Sequence, residues 1–198
     1  MTMIRCIPRR FLPAVLAVLF LFCASAKVDQ INAAFNPVYR IPLRVHLGNS
    51  SRPPAQWEAI LEEINTIWLA QAGICFEIHT VAHDEQMLSG MDLWFRAMIP
   101  DWNGYYYDRN DMHVRDDPVL RPAARPALSS AARTAAHELG HALNLRHRQN
   151  SDDNLMRSKT YGWQLHPDEI RTAREQAKVL ALAETGSGSC SVLIHNTL

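Results

Sequence analysis

The stretch from His137 to His147, HELGHALNLRH, constrains this chain more than any other. Residues four apart share one face of an α-helix, so His137 and His141 project into the same space and can share a metal ion through their ring nitrogens. His147 lies six positions further on, out of reach of that ion along a straight helix. The helix must therefore end, and the chain must turn back, between His141 and His147. Such a turn needs a residue at positive φ, and Asn is the non-glycine type that tolerates it best. Asn144 is accordingly predicted as the helix C-cap.

Three imidazoles around one ion leave a fourth position open for water, the arrangement of a catalytic zinc site. Structural zinc sites are closed and often use Cys, and the cysteines of this chain have no such spacing. Glu138 stands about 100° round the helix from His137, beside the water rather than on the metal, which is the place of a general base. The competing reading is an alanine-rich helix that carries histidines by chance. A third histidine at the required offset argues for the metal.

These residues resemble the elongated zinc motif of the metzincin metalloproteases, HExxHxxGxxH, with Asn144 where that motif has Gly. Downstream, DDNLMR at 152–157 resembles the metzincin Met-turn, which implies that Met156 lies in a tight turn beneath the metal. The short gap from His147 to Met156, and LHPDEI opening the last helix at 165–170, look most like the matrixin branch. The motif likeness covers roughly 130–185; over 38–128 it is one of element order alone.

The resemblance implies a mixed α/β (α+β) zincin fold, with a mostly parallel sheet of about five strands, one of them an antiparallel edge strand. It further implies an active-site helix, the Met-turn and a C-terminal helix. An extended peptide substrate would pair with the edge strand, and by analogy Asp111–Arg115 is that strand. Where other metzincins carry a tyrosine two residues after the Met, this chain has Ser158. Tyr161 nearby reads as wall of the substrate pocket.

Local patterns supply the other elements. Residues 38–47 alternate apolar and polar and read as a strand, with Pro42 indicating an edge or a bulge. Trp57, Ile60, Leu61, Ile64, Ile67 and Trp68 recur at three and four, predicting an amphipathic helix over 56–72 with Gly73 as its C-cap. Residues 74–81 and 91–99 read as strands, and 101–117 as turn-rich and aromatic. Ser129 or Ser130 offers an N-cap for the histidine helix. Pro167 opens a final helix, with Asp168 and Glu169 at its positive end and Ile170, Ala173, Ala177, Leu180 and Leu182 as its apolar positions, to about Glu184. No element is expected in the tail at 186–198.

The first 26 residues place Arg5, Arg9 and Arg10 before an apolar run from Phe11 that ends in Ala24-Ser25-Ala26, the pattern of a cleaved secretory signal. A membrane anchor is the competing reading, but the run contains Pro13 and is shorter than the roughly 20 residues that span a bilayer. The expected organisation is a signal at 1–26, a short leader at 27–37, one catalytic domain at 38–185 and a flexible tail at 186–198.

Removing the signal leaves 17 basic and 20 acidic side chains out of 20 of each, a formal charge of −3. That balance offers no basic field for nucleic acid. Of the four cysteines, Cys75 and Cys190 remain, either as one disulfide or as two free thiols. Asp101, Asp108, Asp111, Asp116 and Asp117 form either a solvated acidic loop or part of a calcium site.

The expectation is a monomeric, secreted or periplasmic zinc endopeptidase, free of the membrane once the signal is gone, that hydrolyses extended polypeptide with Glu138 as base. The rivals are a catalytically silent zinc-binding protein on the same fold and a peptidase of cell-wall peptide crosslinks. Retention of Glu138 argues against the first.

Overall fold

The computed structural model describes residues 35–81, 90–107, 111–181, 183–185, 190 and 192–193. The signal and most of the leader expected from the sequence, with Asp108 of the acidic group and Leu182 of the final helix, lie outside them. Among the described residues no helix is long and apolar enough to cross a membrane.

The elements follow in the order β1 (Val38–Asn49), α1 (Pro54–Ala72), β2 (Ile74–Val81), β3 (Met91–Arg96), β4 (Gly104–Tyr107), β5 (Asp111–Arg115), α2 (Ser130–Ala142), α3 (Pro167–Leu180), β6 (Ala183–Thr185) and β7 (Val192–Leu193). They form a mixed α/β structure around one sheet. Its main strands run β4-β5-β3-β1-β2, parallel except for β4, which is antiparallel to β5. Two short strands complete it, β6 antiparallel to β1 and β7 parallel to β2.

Strand β1 lies in the middle of the sheet, not at an edge as Pro42 suggested. The Tyr39 N–H donates to Gly73 O at 3.0 Å on the β2 side, so the alternation of the strand turns residue 42 to the other side. There β1 pairs with β6 as far as Arg40 and with β3 from Leu43 onward. Pro42 falls in the gap between the two partners, where no ladder bond is lost. The register irregularity of β1 lies further on, between His46 and Asn49.

A second correction concerns the edge. Asp111–Arg115 is interior, flanked by β3 and β4, and the terminal strand among the described residues is Gly104–Tyr107. The run Gly-Tyr-Tyr-Tyr, placed among turns by its neighbours, consists of good strand formers once β5 is there to pair with.

Helix α1 buries the predicted stripe, with Trp57, Leu61, Ile64 and Trp68 at 0–1% exposure. It ends at Gly73, whose φ of 60° is left-handed, with its N–H on Leu69 O. A Cβ there would stand 2.3 Å from Phe35 Cβ, so glycine is required twice over. Helix α2 is enclosed almost all round, 11 of its residues being buried. That is why it is rich in alanine: small side chains let it lie against both α1 and the sheet, and Trp68 Nε1 donates to Ala136 O across the α1–α2 contact.

Helix α3 packs on β1 and α1 and stops at Leu180, short of the expected end, because the chain turns there into β6. The tail is not without structure: β7 pairs with β2, and Cys190 is disulfide-bonded to Cys75 of β2 with Cα atoms 5.5 Å apart.

Candidate metal centre

Helix α2 begins where Ser129 accepts the Ala132 N–H at 3.3 Å, the N-cap expected. Glu63 of α1 reaches the same place and accepts the N–H groups of Leu128 and Ser129 at 2.6 and 2.9 Å. Nothing local in the sequence signalled that role for Glu63. Burial raises the Glu63 carboxyl above its ordinary value, with the two N–H bonds opposing.

At the other end Leu143 is the cap and Asn144 the residue after it, at φ 64°. The left-handed residue is the one the sequence indicated, displaced one position from the cap itself. Asn144 N–H donates to His141 O and Leu145 N–H to Gly140 O, the paired bonds of a Schellman ending. This ending reverses the chain and brings His147 back over the helix.

The three rings converge. Their centroids lie 4.9 Å (His137–His141), 5.2 Å (His137–His147) and 4.8 Å (His141–His147) apart. Nδ1 of His137 meets Leu155 O at 2.7 Å and Nδ1 of His141 meets Leu145 O at 2.9 Å. A carbonyl only accepts, so each Nδ1 carries the hydrogen and each Nε2 is left with a lone pair facing the centre. His141 Nε2 and His147 Nε2 stand 3.2 Å apart. Burial first, then neighbouring positive charge, pushes the His137 pKa well down, and burial also lowers that of His141. Both rings are thus held neutral, the form that binds metal. The three histidines could hold a metal ion, and among the described residues they are the one group of three or more such side chains that could.

Glu138 is 5% exposed, and burial lifts its carboxyl pKa to about 8 against the pull of Arg133. Strand β4 presses on it: a Cβ at Gly104 would lie 2.8 Å from Glu138 Oε1 and 3.0 Å from both His113 O and Thr134 Cγ2. Only glycine lets the edge strand pass so close to the carboxyl. The three histidines and Glu138 line a cavity of about 420 Å³. Trp102, Tyr105, Tyr106 and Leu120 give it apolar walls, and Ser158 and Lys159 close it from the segment after Met156. Tyr161, expected in that wall, is not among the residues that line it; its backbone is hydrogen-bonded to Arg121 and Ala127.

Beneath the helix Met156 is fully buried. Its N–H donates to Asn154 Oδ1 at 2.8 Å, and Asn154 Nδ2 donates to Glu169 Oε2 at 2.7 Å. Glu169 also accepts from His166 N at 2.7 Å and Arg148 Nε at 3.0 Å, so one carboxylate braces the turn, the start of α3 and the residue after His147. Sequence reading assigned it only a helix-end charge. Arg133, 2% exposed, donates Nε to Gly162 O at 3.0 Å and Nη2 to Leu155 O at 2.6 Å and to Arg157 O. Leu155 O is therefore shared by Arg133 and His137 of the histidine cluster.

Of the acidic residues considered for calcium, three have protein partners. Asp116 is buried and accepts from Ser50 and Ser51, Asp117 pairs with Arg52, and Asp111 accepts from Trp94 Nε1 at 2.7 Å. His46, His79, His113 and His166 stand apart from the triad, His46 being buried against Asp92 and stacked on Trp94 at 3.7 Å. A scan against protein families and a search of curated proteins find no match to this chain.

Proposed function

We propose that the protein is a zinc-dependent endopeptidase of metzincin type, closest in pattern to the matrixins, that is secreted or periplasmic and cleaves extended polypeptide. The observation that carries this reading is the convergence of His137, His141 and His147 with Glu138 beside them, on a helix ended by left-handed Asn144. Tetrahedral zinc with nitrogens at about 2.0–2.1 Å keeps those nitrogens roughly 3.3 Å from one another. The 3.2 Å between Nε2 of His141 and Nε2 of His147 fits that span. The backbone carbonyls on Nδ1 of His137 and His141 are the outer partners that such ligands ordinarily have. Met156 under the helix supports the Met-turn likeness.

Bound there, zinc supplies a Lewis acid that polarises the scissile carbonyl and makes a water acidic near neutral pH. The chain's own residues do the rest. Glu138 takes the proton of the attacking water and returns it to the departing amine. The main chain of β4, whose outer side has no strand among the described residues, offers N–H and C=O groups to an extended peptide that adds to the sheet. Gly104 lets β4 itself run close against the carboxyl of Glu138.

Digestion of a peptide library by purified 27–198 protein, with and without a chelator, tests the reading. Chelator-sensitive cleavage that is absent from Glu138→Gln supports it. Cleavage that survives complete metal removal sinks it.

A further inference from the structure

We propose that the cavity beside the histidines selects an acidic substrate side chain, Asp or Glu, next to the cleaved bond. This rests on the peptidase reading above and adds the substrate class. The cavity is lined by two cationic side chains, Arg133 and Lys159, and by one acid, Glu138, which proton transfer already occupies.

Arg133 is the stronger argument. The residue is 2% exposed, and its hydrogen bonds go to three backbone carbonyls, with Nη1 in none of them. Among the described residues no carboxylate lies within ion-pair distance of it. Carbonyl dipoles satisfy its donors but do not cancel its charge; Glu138 acts on that charge only at a distance, without an ion pair, and a buried charge lacking a close counter-charge is costly. A carboxylate entering the cavity supplies that counter-charge. The apolar walls of Trp102, Tyr105, Tyr106 and Leu120 reduce, without abolishing, the screening of that attraction by water.

Lys159 adds an independent sign. It holds a φ of 61°, the left-handed region where lysine is disfavoured and Gly or Asn would sit more easily. Its carbonyl is pinned by the Arg121 N–H at 2.7 Å, which fixes the residue on the cavity wall. A long cation kept at a position that suits a small residue points to use of the side chain.

The test uses three peptides differing at one residue beside the scissile bond, Glu, Gln or Lys, against the zinc-loaded protein. Binding to the Glu138→Gln variant is read by calorimetry, and cleavage by the unaltered protein is read in parallel. The Glu peptide is expected to bind about tenfold tighter than the Gln peptide and tighter still than the Lys peptide, with the gap narrowing at high salt. Lys159→Glu, at an exposed position, is expected to shrink or reverse that order, and Lys159→Gln to weaken it.

Equal binding of the three peptides, or an order untouched by Lys159→Glu in a folded protein, overturns the proposal whatever the turnover. Acid-selective binding without cleavage by the unaltered protein overturns the peptidase reading and leaves the charge-selective cavity in place.

Discussion

Gly140 and Met156 meet directly beneath the helix that carries His137 and His141: a Cβ on residue 140 would stand 2.5 Å from the Met156 sulfur and 3.0 Å from its methyl carbon. A glycine inside a helix costs roughly 0.5–1 kcal/mol relative to alanine. Here the position is occupied from below, so the helix seats on Met156 through the missing side chain.

Gly140→Ala is therefore expected to destabilise despite its better helix propensity. Overpacking costs about 1–3 kcal/mol, eased by the flexibility of the thioether, for a net loss of about 1 kcal/mol. Denaturant melts of Gly140→Ala, Met156→Ala and the double variant check this. The double variant is expected to lose less than the sum of the singles, because the shortened residue 156 makes room for the new methyl. Strict additivity would mean that the two residues do not share that space.

On the proposed zinc peptidase reading, Glu138→Gln is expected to bind zinc like the parent and to lose about a hundredfold or more in peptidase rate, since the amide cannot accept the proton. His147→Ala behaves in the opposite way: metal affinity falls, because one of three imidazoles is gone, while the fold persists, because His147 is exposed. Elemental analysis with a competing chelator distinguishes the two variants. Unchanged metal content in His147→Ala would remove it from the ligand set.

What could be read from the sequence was local. The α1 stripe and the pairing of His137 with His141 follow from one helical period, and the need for a turn before His147 follows from counting residues. What could not be read depends on partners far along the chain. Pro42 is harmless in a central strand because two different strands flank it, and Gly104–Tyr107 becomes the edge because Asp111–Arg115 has a second neighbour. The bonds from Asn154 to Glu169, from Arg133 to Leu155 and from Ser129 to Glu63 span 15 to 66 residues of sequence, where no period or spacing carries information. An isolated Gly104 likewise looks like any turn glycine until Glu138 is placed against it.

On the sheet face that carries Arg44, Asp92 is fully buried and receives Arg44 Nε and Nη2 at 2.8 and 2.6 Å and His46 Nε2 at 2.5 Å. Burial works against its charge, but the bonds from Arg44 and His46 hold its pKa below the ordinary 3.8. A carboxyl whose pKa is depressed on folding stabilises the protein above its unfolded value and loses that contribution as pH falls through the folded one. Asp92→Asn is expected to cost about 2 kcal/mol, less than for a wholly buried pair because the Arg44 side chain is 38% exposed. The difference in melting temperature between Asp92→Asn and the parent should be constant near neutral pH and close below about pH 4. A gap that stays open at pH 2 would assign the loss to packing instead.

The bond from Cys75 to Cys190 closes a loop of 115 residues and fastens the chain end beside β2. Cross-linking over so long a loop restricts the unfolded chain, which in the chain-entropy account contributes about 4–5 kcal/mol. Reduction, or Cys190→Ser, is therefore expected to lower the melting temperature substantially. It should leave the histidine site intact, since the bond lies on β2, at the far side of β1 and β3 from the β4–β5 edge that borders the cavity. Thiol titration of unreduced 27–198 protein should find no free cysteine. A reduced protein that melts at the same temperature would show that the C-terminal segment is held by β7 pairing and packing alone.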